Sequence, residues 1–429
     1  MSLDYTKFTV DDLCLKITDG AHFSPSEFKG GRLMASSKDM TDYGWDFSSI
    51  KEIPEEDYKK LVKGDCKPLK DDILIIKDGN NYLKHTFVIK KEIDLVILSS
   101  IAILRPDKNK IEPLFFQYLL RDPRIRGLMA SYVSGAAIPR VVLSDFKKVE
   151  VVIPELPTQK KIASILSAYD DLIENNNQRI KLLEEMAAEI YKEWFVRFRF
   201  PGYKEATFLD KEGNKVAYGT KGAIPEGWEK KPIKDIVDII SGYAFKSDTF
   251  KEEGNYKLVT IKNVQNGFFV TKTTDCIKEL PKNIKEDILL RDKDILLSLT
   301  GNIGRICLVY GDNYLLNQRV AKLKPKTENL FEYVYLFFRS DFLRMTLENY
   351  SNGAAQQNLS PVDMSELKFL TPTDELLEGF SSITKSFFDE IIILLKKNQI
   401  LQETRDLLLP RLISGKLSVE DLEVEDIEN

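Results

Sequence analysis

Residues 132–140 read YVSGAAIPR, and residues 350–358 read YSNGAAQQN. The same Tyr-x-x-Gly-Ala-Ala phrase, stated twice 218 positions apart, decides the fold, because it is the visible part of a long internal repeat. At that offset Arg121 meets Arg339, Arg126 meets Arg344, Asp145 meets Asp363 and Pro154 meets Pro372. Together with the shared phrase this makes eight identities over residues 121–154, where unrelated segments of that length give roughly two. Upstream the offset drifts to 222, as short loop insertions would make it. There Gly20, Phe23 and Phe28 fall on Gly242, Phe245 and Phe250, Asp72-Ile73-Leu74 on Asp294-Ile295-Leu296, and Gly79-Asn80 on Gly301-Asn302. A unit of about 220 residues is far larger than a solenoid repeat of about 20 to 50, so the chain is two copies of one domain, each with an appendage.

Both copies carry the same coarse pattern. Short β-rich pieces, such as 257–261, 294–299 and 306–310, are separated by Gly, Asn and Asp turns. A helix follows, with Leu114, Phe115, Tyr118 and Leu119 on one face in the first copy and Tyr333, Leu336 and Phe337 in the second. After the Gly-Ala-Ala turn comes a short strand, KKVEVVIP or ELKFLTP, closed by proline.

Beyond that proline each copy turns into a long helix, expected over 157–195 and 374–409. The apolar spacing Ile162, Ile165, Tyr169, Leu172, Leu183, Met186, Ile190 fits the a and d seats of a heptad, as does Phe380, Ile383, Phe387, Ile391, Leu394, Leu401, Leu408. Helices of that length span roughly 50 to 60 Å. An apolar stripe so long needs cover, and the simplest partner is the other stripe, so an intramolecular helix pair is expected. Asn176 and Asn398 interrupt the stripes, either to fix register or on a solvated face. The expected domains are 1–154, a helix over 155–200, a Gly-rich linker over 201–224, a second domain over 225–372, a helix over 373–414 and an acidic tail over 415–429.

Composition narrows the chemistry. With 429 residues and 43% hydrophobic content the chain can bury full-sized cores. Its net charge of −5 is uneven: residues 1–154 carry 24 basic against 23 acidic groups, 225–372 carry 21 against 20, and 373–429 carry 6 against 13. Each repeated block is therefore slightly positive, and residues 101–154 hold nine basic groups against five acidic ones. Four scattered cysteines without a C-x-x-C pair support neither disulfides nor a zinc site. Two histidines, His22 and His85, leave almost no room for His-based catalysis and are expected at the surface. There is no phosphate-cradling G-x-x-x-x-G-K-[ST], no G-x-G-x-x-G and no Asn-Pro-Pro-aromatic motif of amino-methyltransferases. Asp71-Asp72 is read as a strand start or a cap rather than a nuclease metal site. No apolar run is long enough to cross a bilayer, so a cytoplasmic protein is expected, with no cofactor, no metal and no catalytic residue of its own. Two copies of a domain without a reaction centre point to binding.

The stretch IPELPTQKKIASILSAYDDLIENNNQRIKLLEEMAAEIYKEWF, with SGYAFKSDTF, TGNIGRICLVY and LLPRLISGK, resembles the specificity subunits of type I restriction-modification systems, and the likeness covers essentially the whole chain. The resemblance implies an α+β fold, with two similar mixed α/β target recognition domains in pseudo-twofold arrangement separated by two long antiparallel coiled-coil helices. It implies that each domain reads one half of a bipartite site in double-stranded DNA. It implies too that the helices dock two methyltransferase subunits, which carry S-adenosylmethionine and methylate adenine, and that restriction subunits then join. On that reading the shared phrase keeps the scaffold and the altered residues beside it change the bases read. Arg suits guanine, and Asn or Gln suits adenine, while phosphate contacts only position the protein. Candidate readers are Lys77, Asn80, Lys84, Ser99, Ser100 and Arg140 in the first copy, and Asn302, Arg305, Gln318, Arg319, Gln356, Gln357 and Asn358 in the second. Lys38, Lys246 and Lys262 are candidates for phosphate. For each, a solvated turn residue is the competing reading. Leu183 and Leu401 should be core, whereas Tyr191, Trp194 and Phe195 are candidates for meeting the methyltransferase, since aromatic anchors dominate interfaces.

Overall fold

In the computed structural model the described residues are 5–132, 139–301, 303–352 and 360–420, with the backbone alone at 348–352. The chain divides into two units, one of residues 1–175 with 399–429 and one of residues 176–398.

In the first unit the run Ile73–Ile76 is buried on both faces and becomes the inner strand of a four-stranded antiparallel sheet. The strand order is Cys14–Asp19, Ile101–Pro106, Ile73–Ile76, Thr86–Val88. Alternation sends Ile73, Ile75, Ala102 and Leu104 to one face, where they meet Phe115, Phe116 and Leu119 of helix Pro113–Arg121. Leu74, Ile76, Ile101 and Ile103 go to the other, against Ala35, Leu95 and Ile97 of a three-stranded sheet.

The second unit repeats the four-stranded sheet strand for strand, while its second sheet has four strands where that of the first unit has three. Its four-stranded sheet runs Val237–Ser241, Val320–Pro325, Ile295–Ser298, Ile306–Leu308. In each unit the opening strand pairs with the strand just before the long helix, Thr6–Thr9 with Glu150–Ile153 and Glu229–Pro232 with Lys368–Thr371. The matched aspartates Asp72 and Asp294 each hold a partly buried ion pair as well. Arg105 donates twice to Asp72, at 2.8 Å each, and Lys322 donates to Asp294 at 2.9 Å. Burial pushes the Asp294 carboxyl up, with the Lys322 bond pulling against it. Asp72 is thus committed to the scaffold, as its strand-start reading expected.

The central helix covers Leu156–Tyr191 and continues as a π-helical turn, Lys192–Val196; the C-terminal helix covers Asp374–Ile413. In the first unit Ile162, Ala163 and Leu166 share a core with Leu409, Leu412 and Ile413. Within the second unit the pair runs antiparallel. As the central helix advances from Asn176 through Arg179 to Tyr191, its partners retreat from Asn398 through Glu390 to Phe380. The buried asparagines are bonded: Asn176 Nδ2 donates to Asn398 Oδ1 at 2.8 Å, and Asn398 Nδ2 to Asn177 Oδ1 at 2.8 Å.

Three expectations need correction. The seam lies one seat away from the apolar stripe read in the sequence, since Leu172 is 55% and Met186 50% exposed while Leu166, Asp170 and Ile173 are buried. Polar residues on buried seats hid it: Gln159 accepts from Glu112 N and donates to Pro154 O, and Asp170 accepts from Tyr118 at 2.8 Å and Arg121 at 3.0 Å. Residues 201–224 are not bare linker, because Phe208–Leu209 pairs with both Lys215–Val216 and Ile224–Pro225, and Phe208 is buried. Tyr191, Trp194 and Phe195 are each only 8% exposed and are core, not surface. The Phe195 ring lies 4.9 Å from Phe380 and 5.0 Å from Tyr333, centroid to centroid.

Candidate nucleic-acid interface

Where the strands of each four-stranded sheet run out, their loops are stitched together by main-chain hydrogen bonds. In the first unit Ser99 N donates to Ala21 O at 2.9 Å, Leu98 N to Ala35 O at 2.9 Å, and Lys77 N to Ser100 O at 2.9 Å. Val141 N donates to Lys77 O at 2.9 Å and Gly79 N to Pro139 O at 3.1 Å. Segments 20–22, 35–38, 77–80, 98–100 and 139–141 therefore form one edge. The second unit uses the same stitches: Gln318 N to Tyr243 O at 3.0 Å, Asn317 N to Val259 O at 3.2 Å and Leu299 N to Arg319 O at 3.0 Å. Close approach makes this possible. A Cβ on Gly20 would stand 2.1 Å from Ile97 O, and one on Gly242 2.1 Å from Asn317 O, so matched glycines seal both edges.

The side chains on this repeated frame differ. On the first edge Lys38, Asn80 and Arg140 are exposed, and Ser99 and Ser100 are half-buried. Lys84 is exposed on the far arm of the 77–84 loop, its carbonyl accepting from Arg126 at 3.2 Å. Lys77 is not at the surface: its side chain has 0% exposure, with Nζ 3.3 Å from Asp19 Oδ2 and 3.1 Å from Asp78 Oδ2. His22 Nε2 lies 3.3 Å from Asp19 Oδ1, and Arg140 Nε 3.4 Å from Asp78 Oδ1. These contacts make a chain of alternating charge, Asp19, Lys77, Asp78, Arg140, with the His22 ring at its Asp19 end and Lys77 as its buried member. A lysine in that position serves the frame, because exposing its ammonium would break both pairs.

On the second edge Gln318 and Arg319 are exposed, and Lys246 and Lys262 stand exposed in flanking turns. Arg305 Nη1 donates to Gln265 Oε1, and Gln265 Nε2 donates to Lys262 O at 2.9 Å. Arg319 has φ of +74°, a left-handed conformation that a non-glycine residue adopts at a cost of about 1 to 2 kcal/mol. Held there by the Leu299 hydrogen bond, it fits the tendency of backbone strain to collect at functional positions. Asn302, Gln356, Gln357 and Asn358 lie outside the described residues. Three edge residues were not singled out as readers by the sequence: His22, Tyr243 and Gln265. The first two carried a signal, His22 standing two residues and Tyr243 one residue beyond the matched Gly20 and Gly242.

Among the described residues there is no cluster of His, Cys, Asp and Glu that could hold a metal ion, and all four cysteines are free. Nor, among them, is any helix long and apolar enough to cross a membrane.

The type I restriction modification DNA specificity domain matches this chain twice, over residues 4–185 and 225–403. The HindI specificity subunit of Haemophilus influenzae is 24% identical over 424 residues, covering 87% of this chain and 90% of that protein. The MjaVIII specificity subunit of Methanocaldococcus jannaschii is 28% identical over 375 residues, covering 85% and 83%. In fold the chain is similar to the crystal structure of a type I restriction-modification S subunit from M. genitalium, with a TM-score of 0.56 at 16% identity over 96% of each chain. The double match of the domain, on a frame that recurs in both units, shows that the chain belongs to the type I restriction-modification DNA specificity family, as a non-catalytic specificity subunit.

Proposed function

We propose that each repeat reads one half of a bipartite site in double-stranded DNA, residues 1–154 one half and residues 225–372 the other. The two long helices, residues 155–200 and 373–414, dock two modification subunits, to which restriction subunits add, and the chain thereby directs adenine methylation and cleavage by those partners. Residues 201–224 connect the parts, and 415–429 form the tail, of which 421–429 lie outside the described residues. The carrying observation is the repeated edge: the same three backbone stitches hold Ser99 and Ser100 in one unit and Gln318 and Arg319 in the other, and two further ones bring Arg140 beside the 77–80 turn in the first. Arg and amide side chains are the groups that discriminate guanine and adenine in the major groove, while Lys38, Lys84, Lys246 and Lys262 supply charge for phosphate. Lys77, Ser99, Ser100 and Arg305 support the readers from behind. Docking draws support from apolar side chains left exposed on the helices, Leu172 and Leu407 in the first unit and Leu182, Met186 and Ile393 in the second.

The test is methylated-adenine mapping on DNA exposed to the chain assembled with modification subunits. Arg140→Ala should relax base preference in one half-site and Arg319→Ala in the other, each by about tenfold at one position. Replacing both without altering either half-site would sink the assignment of the edges.

A further inference from the structure

The turn after Ile73–Ile76 and its counterpart after Ile295–Ser298 pass through Gly79 and Gly301, with φ of +89° and +72°. Directly before each glycine stands a side chain with one buried oxygen that takes part in no hydrogen bond, although at Asp78 that oxygen faces Arg140 Nε across an ion pair of 3.4 Å. Among the described residues six buried side-chain nitrogen or oxygen atoms have no hydrogen-bond partner, and two of them, Asp78 Oδ1 and Thr300 Oγ1, occupy the same position of the repeat. Folding rarely leaves such an atom unpaired, and a purely structural role would be met by a satisfied or an apolar side chain. The chemistry at the position has changed between the copies from carboxylate to hydroxyl, yet the unmet capacity has stayed. Both atoms belong to the proposed reading edges. The Asp78 backbone bridges to Arg140, and Thr300 follows Leu299, whose N–H is held by the Arg319 carbonyl at 3.0 Å.

We propose that Asp78 and Thr300 are specificity-determining residues, each completed by a polar group on a base edge in the major groove. This deepens the half-site reading above and rests on it. An ionised carboxylate only accepts, so Asp78 selects an exocyclic amine, that of cytosine or adenine, and disfavours the carbonyl edges of guanine and thymine. A negative group beside DNA is tolerable here because it is balanced in place, with Lys77 Nζ 3.1 Å from Oδ2 and Arg140 Nε 3.4 Å from Oδ1. Arg140 has a side chain 48% exposed, so a phosphate or guanine can draw it away from Oδ1, which is closed to solvent in the free chain. Lys77 keeps its second partner, Asp19, throughout. Thr300 can accept or donate and therefore reads less strictly.

The experiment uses the full chain assembled with modification subunits and a DNA library randomised across both half-sites, with methylated adenines as readout. Asp78→Asn should cut discrimination about tenfold at one position of one half-site and leave the other half-site unchanged. Thr300→Val, nearly isosteric and uncharged, should do the same in the other half-site. A bipartite wild-type pattern with base preferences unaltered in both variants overturns this inference while leaving the half-site reading intact; a wild-type chain that directs no bipartite methylation removes that reading itself. If Asp78→Asn fails to fold because Lys77 loses a partner, Thr300→Val decides alone. A loss of methylation equal across all sequences marks a structural role and also overturns the proposal.

Discussion

Two facing amides show how much a single residue can decide. Asn176 and Asn398 are both buried, and the bond between them is backed by Asn398 donating to Asn177, which is exposed. Asn176→Leu leaves Asn398 Oδ1 buried without its donor, which should cost about 1 to 3 kcal/mol in urea unfolding. The double replacement with leucine should recover most of that, since exchanging both partners for apolar groups is close to neutral and water can serve Asn177. Additive losses in the double-mutant cycle would show that the amides do not act as a pair. The sequence left open whether these residues fix register or face water, because a 3.5-residue spacing says that a seat is polar but not what faces it. The same blindness applies to Lys77. Nothing in KDGNN tells that the lysine points inward between two carboxylates while Asn80 and Asn81 face solvent.

At the scale of the element, helices and strands were legible and their inward faces were not. Continuous apolar runs such as Ile73–Ile76 and the closing strands before the prolines stand where alternation and turn residues put them. The helix seam shifted because Gln159 and Asp170 spend their hydrogen bonds on a helix start and a buried Tyr-Arg pair, so polar residues took seats that pattern-reading reserves for apolar ones. The displaced Leu172 and Met186 became surface, and the aromatic end of the central helix became core. This exchange separates two effects. Phe195→Ala should destabilise the second unit by about 3 to 5 kcal/mol, as for other buried phenylalanines. Met186→Glu, at an exposed site, should leave the unfolding midpoint within about 0.5 kcal/mol of wild type. Its effect should instead be to weaken co-purification with a modification subunit. The opposite pattern, a stable Phe195→Ala that no longer binds the partner, would restore the aromatics as the docking surface.

For the whole molecule, the duplication was the most legible feature, since eight matches at one offset report a shared frame wherever the loops have drifted. The bases read were not, because the edges place unlike side chains on like stitches and no spacing encodes which edge group meets which base. Net charge was the least informative quantity, a chain at −5 still offering lysines and arginines at each edge. The proposed reading makes the long helices the ruler between half-sites, and their length makes that measurable. Removing one matched heptad from each helix shortens both by about 10 Å at 1.5 Å per residue. Seven residues are one full period of the seam, so the inward faces stay in phase and the helix pair survives. With base pairs stacked about 3.4 Å apart, the spacer in the methylated site should contract by about three base pairs, while the bases specified on either side stay the same. A spacer of unchanged length, in a shortened chain that still methylates, would mean that something other than the helices sets the distance.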